Sequence, residues 1–452
     1  MSLLDGDSCD CARSELELFE IPPTQTSIEE SRYEQFYQLT GLDRNTPIEF
    51  KITAAQDEYL DLFQSQLYLK AKIVDSTGTA LPRGRTGDPA VLEDKALVFP
   101  VNYFPGSYFN RVECYINSKP VGSSENLYPY RAYMETALSY MQDVKQTSLH
   151  ASMFHPDLNE MDEFSNAELT EDTKNKGAKK RWDRTKFSEP FESISRIHNS
   201  LFQQQKLILS KVPIYLKFHR NNMDFVLMSK LPDHPYKVII DTAILYVCVK
   251  KIAPHVRVAH EERLLNSNAK YPLRKVEMKF FTRAAGRADL SEQNLVNGIL
   301  PQRVIMGMVL TEAFNGSRHK SPFNFQSFGI SSLVLRKNGI AVPFDKMDFD
   351  FENDEYMMGY FSLLQSVGMW GSESKNNGIT PTRDYKNGYT LFGFNLSPDE
   401  SLGDNLNLIK EGHLSFDLRL KTGHAESITI ICYLEYDTIL EIDKDRNVLY
   451  NE

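Results

Sequence analysis

The chain has 452 residues, 41% of them hydrophobic with 27 Phe and 22 Tyr, enough for two or three aromatic-rich domains at ~100 to 200 residues each. A formal net charge of -10 excludes a surface built mainly to neutralise phosphate. No apolar run of about 18 residues exists to cross a bilayer, and the first ten residues lack the basic and apolar regions of a secretory signal, so a soluble protein made in the cytosol is expected.

Residues 1–45 carry Asp5, Asp7, Asp10, Glu15, Glu17, Glu20, Glu29 and Glu30, with Arg13 and Arg32 the only bases before Tyr33. Pro22-Pro23 interrupts any long helix. The composition predicts an acidic, extended, partly disordered arm. Strand patterns begin at Pro47 to Thr53, where Ile48, Phe50 and Ile52 alternate, and continue at Gln66 to Val74 and Leu97 to Val101, with a Pro- and Gly-rich loop at 81–94.

From Arg111 to Met141 the sequence reads as a strand with Val112, Cys114 and Ile116 alternating, an Asn-Ser-Lys-Pro turn, a second strand and an amphipathic helix. Pro129 suits the first helical turn. Residues 142–205 are predicted to be a long irregular loop. Within it Lys174, Lys176, Lys179, Lys180, Arg181 and Arg184 read as a solvated basic surface, with nuclear import or a nucleic-acid contact as the functional alternatives. Strands resume at Leu207 to His219, Asp224 to Ser229 and Lys237 to Ile252, and residues 253–270 connect to a second domain, with a short helix around Glu261 to Leu265.

The second domain's strands are expected at Leu273 to Arg283, Arg303 to Ala313, Ser331 to Lys337, Ile340 to Pro343, Tyr389 to Leu396, His413 to Lys421 and Ser427 to Leu440. Its stretch from Ser331 to Gly368 repeats the plan of the 111–141 unit. Leu333 and Leu335 enter a Lys-Asn-Gly turn, Ile340 and Val342 leave it, and a helix carries Tyr356, Tyr360, Leu363, Leu364 and Val367 before Gly368 stops it. The repeat predicts that both helices pack on the flank of their own sandwich. Seven or eight strands and one late helix per half point to an all-β protein of two tandem eight-stranded jelly-roll sandwiches, each with an inserted helix, over residues 46–255 and 256–452.

Chemistry is sparse. There is no phosphate loop, nucleophile elbow or His-Glu-x-x-His pair. His219, His234, His255 and His413 are expected on surfaces or at strand ends. Asp348 with Asp350, or Asp437 with Glu441, would be the carboxylate pairs of a β-sandwich glycosidase, and a carbohydrate-binding or carbohydrate-cleaving protein is the alternative reading. Cys114, Cys248 and Cys432 sit in strand patterns as small core residues. Cys9 and Cys11 could hold a soft metal or form an intermolecular disulfide, but lack partners at zinc spacing. Asn315-Gly316-Ser317 and Asn395-Leu396-Ser397 match the glycosylation pattern, which a chain without a secretory signal would not use. Phe323 and Phe325, with Phe328 on the other face, read as core packing. No catalytic, cofactor-binding or metal-binding residue is assigned.

Several segments in order carry a family resemblance: Ala313-Phe-Asn-Gly-Ser317, Ser321-Pro-Phe-Asn-Phe325, Asp350-Phe-Glu-Asn353 with Tyr356, Gly388-Tyr-Thr-Leu-Phe392 followed by Phe394, Leu396 and Pro398-Asp399, and Glu441-Ile-Asp-Lys-Asp-Arg-Asn-Val448. Tyr236-Lys-Val238 and Ala259-His260 add to them. The chain resembles the double jelly-roll major capsid proteins of Maverick (Polinton) elements and related adinto-like viruses, over about Pro47 to Leu449 and most closely after Tyr236. The resemblance implies homotrimers of six-sided outline that tile an icosahedral capsid around double-stranded DNA, with neighbouring capsomers and a penton or minor capsid protein as partners. It further implies a virion location after synthesis in the host cytosol, with assembly there or in the nucleus, no sequence-specific nucleic-acid contact, no cofactor and no enzymatic activity.

Overall fold

Alternation sets the first sandwich. In β2 (Ile48–Ile52) the side chains of Ile48, Phe50 and Ile52 are fully buried while Lys51 is exposed, the pattern of a strand with one wet face. The computed structural model of the chain describes residues 13–19, 21–42, 46–83, 94–122, 126–157, 161–162, 175–231, 233–372, 376–399 and 405–450. Around β2 stand β1 (Ile28–Tyr37), β3 (Glu58–Asp75), β4 (Phe109–Ile116), β5 (Lys119–Pro120), β6 (Phe191–Ser195), β7 (Ile214–Arg220) and β8 (Tyr236–Ile252). They pair antiparallel as β1-β8-β3-β6 and β2-β7-β4-β5.

The second sandwich comprises β9 (Ala269–Arg283), β10 (Glu292–Ile299), β11 (Arg303–Leu310), β12 (Ile330–Lys337), β13 (Ile340–Ala341), β14 (Leu391–Asn395), β15 (Glu411–Leu420) and β16 (Ile428–Ile442). Its sheets run β9-β16-β11-β14 and β10-β15-β12-β13. Counted within each half, both sandwiches have the same order: first-eighth-third-sixth facing second-seventh-fourth-fifth. This is the jelly-roll connection, made twice in one chain. Because the strands alternate in direction, all links after odd strands gather at one end of each sandwich. The links after even strands, the arm and the connector between sandwiches gather at the other.

The two hairpins that mark the repeat turn alike. Asn117 and Ser118 have φ of 45° and 68°, and Asn338 and Gly339 have φ of 50° and 83°, positive at both central positions as a two-residue hairpin of matching twist requires. A helix follows each hairpin before the sixth strand: α1 (Tyr128–Ser139) in the first half and α4 (Met357–Ser366) in the second. Gly368 ends the latter with φ 66° and an N–H donated to the Gln365 carbonyl at 3.0 Å. Their packing differs. Helix α4 lies on β14 and β11 of its own sandwich, whereas α1 rests on its own β4 with one side and faces the second sandwich with the other.

Five further expectations are corrected. The acidic arm does not run to residue 45, because Ile28–Tyr37 is strand β1, paired with β8 along its length. Its side chains are mostly exposed, so no apolar alternation announces it and backbone pairing holds it. Strand β10 went unread because Gln293, Asn294, Asn297 and Gly298 dilute its pattern. The strand expected from Leu207 starts at Ile214, just after Pro213, which has no N–H to give a ladder. The short helix of the connector is a longer one, α3 (Pro254–Leu264), with Pro254 in its first turn.

The fifth correction concerns residues 142–205. This stretch holds β6 and helix α2 (Lys176–Thr185), on which the basic cluster lies, Lys174 falling outside the described residues. Lys176, Lys180 and Arg184 are exposed, but Arg181 is not a surface charge. It donates to the carbonyls of Pro100 at 2.9 Å and His155 at 3.1 Å and pairs with Asp157 at 2.8 Å, with both side chains nearly fully buried. Trp182 beside it donates to the Ala96 carbonyl at 3.0 Å. One helical turn of the cluster therefore staples the long insertion to the sandwich.

The edge strands at which two of the sheets end, β1 and β9, carry charge. Strand β1 holds Glu29, Glu30 and Glu34 against Arg32, while β9 holds Lys270, Arg274, Lys275, Lys279 and Arg283 against Glu277. Charge on an edge strand discourages unplanned pairing.

Arg181→Ala leaves Asp157 buried without its partner and is expected to cost about 3 to 5 kcal/mol. Lys180→Ala, one residue away and exposed, should stay within about 0.5 kcal/mol of the parent. Urea unfolding of the two variants followed by tryptophan fluorescence checks the contrast.

Candidate functional site

The carboxylate pairs are either engaged by neighbouring lysines or spread along a strand. Asp348 is exposed and pairs with Lys346 at 2.6 Å. Asp350 takes Lys421 at 2.6 Å and caps its own turn through the N–H groups of Glu352 and Asn353, and the Lys421 contact, with these bonds, holds its carboxyl at about 2. Asp437 and Glu441 are four residues apart on β16, so at ~3.4 Å per residue they stand ~13 Å from each other, beyond the ~5 to 9.5 Å that paired glycosidase carboxyls span. Burial pushes the Cys114 thiol up to about 12 and raises that of Cys432 as well, the opposite of a reactive cysteine. Cys9 and Cys11 lie outside the described residues. His255 is exposed, and His219, His234 and His413 are half-buried. Among the described residues no three His, Cys, Asp or Glu side chains gather as a metal site would need.

The concentrated chemistry of the molecule lies instead in the seam between the sandwiches, built outward from α1. Strands β11 and β16 are buried along nearly their whole length, which requires cover on both faces of their sheet. The inner face meets β10-β15-β12-β13. Part of the outer face lies under α4, and part under α1 of the other sandwich.

Aromatic rings form one end of the contact. Tyr133 stacks on Phe323 with centroids 4.1 Å apart and planes parallel, and Tyr130 stacks on Phe314 at 5.6 Å and meets Phe323 edge-on at 5.8 Å. Phe323 and Phe325 are fully buried, so packing is their use, but they lie in a loop and their partners are on α1 rather than on the facing sheet. Gly316, the central residue of the Asn315-Gly316-Ser317 pattern, has φ 106° and sits where a Cβ would meet the Phe225 backbone N at 3.0 Å. Glycine is required there by both angle and space.

Behind the rings is a saturated polar network. Glu135, one turn after Arg131, takes the Arg131 Nε at 2.9 Å, His198 Nδ1 at 2.6 Å and Gln203 Nε2 at 2.5 Å, and the Tyr433 hydroxyl of the second sandwich at 3.4 Å. That same hydroxyl reaches Glu435 at 3.1 Å, and Glu435 is held by Arg303 at 2.9 Å and Arg274 at 3.3 Å. Burial would raise the Glu135 carboxyl, but Arg131 and His198 outweigh it and hold the group at about 2. A small cavity of about 180 Å³ adjoins the network, bordered by Met134, Leu138, Ile305 and Val367. Each charge already has a partner, so the arrangement fastens one sandwich to the other. Sequence reasoning missed it. The one local signal was the Arg131 to Glu135 spacing, which reads equally as an ordinary surface pair.

The sandwiches are tied at both ends as well. At the end bearing the odd-strand links, Arg318 pairs with Asp224 at 2.7 Å, Ser229 N–H donates to the Arg318 carbonyl at 3.0 Å, and the Asp162 carboxylate accepts from Ser321 N–H at 2.7 Å. Lys145, buried, donates to the carbonyls of Ala137 in α1 and Asn377 in the second half, the latter at 2.6 Å. At the opposite end Arg446 donates to the Ser210 carbonyl at 3.0 Å and pairs with Glu261 of α3, while Asn117 donates to the Arg446 carbonyl at 3.0 Å.

No family model matches the chain. An uncharacterized protein of Caenorhabditis elegans is 26% identical over 432 residues, covering 94% of this chain and 98% of that one. Among solved structures, the Sputnik virophage determined by cryo-EM aligns with a TM-score of 0.64 and 13% identity over 100% of this chain and 94% of that one. The PBCV-1 virus capsid gives 0.56 and 10% over 96% and 100%, and the mavirus major capsid protein 0.55 and 9% over 100% and 97%. At these identities the likeness shows the fold, a double jelly roll matched along the whole chain.

Glu135 supplies the pH dependence of the seam. Its folded value lies below that of an ordinary carboxyl, so its contribution is complete above about 4.5 and is lost as pH falls toward about 2. Chemical unfolding at stepped pH should show stability dropping across that window by on the order of 3 kcal/mol from this group. The drop should be shallower in Glu135→Gln, which starts from a lower stability at neutral pH.

Proposed function

We propose that this chain is the structural subunit of a viral capsid. The observation that carries the reading is the repetition of one eight-strand order in two sandwiches fastened along a common seam, matched over nearly the whole length of capsid proteins of the same fold. Such a unit offers two similar outer flanks per chain. Three copies closed by a threefold axis present six, and a six-sided block tiles a curved surface with one kind of subunit. The acidic edge at β1 and the basic edge at β9 support contacts in which the first sandwich of one copy meets the second sandwich of the next. Each trimer interface is expected to bury more than ~2,000 Å².

Within this reading the trimers pack into an icosahedral shell around double-stranded DNA, with a penton or minor capsid protein at the vertices, and the chain acts in the virion without enzymatic activity. The segments quoted for the Maverick and adinto-like family support an element or virus of that group. The net charge of -10 gives such a shell wall little affinity for phosphate.

Light scattering of the purified protein should give three times the 51.9 kDa subunit mass, and negative-stain microscopy should show six-sided particles. A stable monomer at micromolar concentration, forming no particles under crowding or added salt, would refute the proposal.

A further inference from the structure

At the end of the first sandwich where the arm enters, a crevice of about 810 Å³ opens between α3, the start of β9 and residues 205–209. Its floor is apolar, formed by Leu209, Ile252, Val256, Leu264 and Tyr271. Its rim is cationic, with Lys206, Arg263 and Lys270 all exposed, and no carboxylate is among the described residues that line it. Lys270 has Glu441 at 4.0 Å, at the outer limit of an ion pair.

The arm carries the complementary pattern. Glu15, Glu17 and Glu20 alternate with Leu16, Leu18, Phe19 and Ile21, and these four apolar side chains are 71%, 77%, 98% and 87% exposed. Four large apolar groups held in water over six residues mark a segment made to be covered. Among the described residues, none of the same chain's arm before Ser27 lines the crevice. Ser27 and Ile28 stand on its wall, the Gln25 side chain accepts from the N–H groups of Ser27 and Ile28 to close a turn, and Pro22-Pro23 fixes the direction of the stretch before it.

We propose that residues 15–21 of a second copy of this chain dock in the crevice, the apolar side chains on its floor and the three glutamates against the cationic rim. Each copy would then give its arm to one neighbour and receive the arm of another, an exchange that closes around a threefold axis. The inference rests on the capsid reading for its supply of neighbouring copies and adds where and how they are latched.

The test uses the full-length protein with photoreactive benzoylphenylalanine in place of Phe19, prepared as a mixture of nitrogen-15-labelled and unlabelled chains. After irradiation, adducts should join labelled to unlabelled chains and map to residues 205–209 or 256–264. Arg263→Glu should lower their yield several-fold with no change in the thermal unfolding midpoint. Adducts confined within single chains would overturn the proposal, as would oligomers whose adducts map elsewhere, and the latter would leave the assembly reading standing. A monomer by light scattering on the same sample would instead remove that reading, and the docking with it.

Discussion

A sheet that is apolar on both faces has to be covered twice, and most of what distinguishes this molecule follows from that requirement in β9-β16-β11-β14. One face is satisfied inside its own sandwich. The other is shared between α4 and α1, so the second sandwich is completed by a helix from the first. Burying Arg131, Glu135, Arg303 and Glu435 along the same contact costs desolvation that Coulomb attraction alone does not return. It is offset here because Glu135 and Glu435 each receive several donors. Such a network tolerates little displacement, and it fixes the angle at which the sandwiches meet as well as the fact that they meet.

The duplication is visible in strand order and in the twin hairpin turns, while the inserted helices have diverged in task. Both occur at the same point in the connection, before the sixth strand. The second-half helix covers its own sheet, with Gly359 close to Phe392 and Gly393 close to Ser366. The first-half helix turns Tyr130, Tyr133 and Glu135 outward to the partner sandwich. Two identical halves could not have made this contact, because each would have needed its helix on its own flank.

Much of the architecture was legible from residues, and the failures have physical reasons. Strands β2, β4 and β7 alternate because one face is wet, and the Asn-Gly turn at 338–339 announced its hairpin. Strand β1 was illegible because it contributes backbone bonds and few buried side chains. The basic cluster misled because five of its six cations gave no sign that Arg181 differs. The only cue was that Ala178, Arg181, Trp182 and Thr185 recur at helical spacing on one buried face. For the seam, the phenylalanine run was read correctly as packing, but its partners on α1 are remote in sequence, and no local pattern names a remote partner. The carboxylate pairs were legible as residues and not as geometry, since a strand's rise alone separates Asp437 from Glu441.

The fastening of the sandwiches at both ends and in the middle has a mechanical meaning. Two planks laid side by side bend independently if they can slip along their common face, and as one thick beam if they cannot. Arg446 with Glu261 and Ser210 at one end, Arg318 with Asp224 at the other, and Glu135 with Tyr433 between them suppress that slip. The chain therefore answers a sideways load with the depth of both sandwiches together, and resistance to bending grows faster than in proportion to depth. A wall built from such units draws its stiffness from the seams inside each subunit as well as from the joints between them.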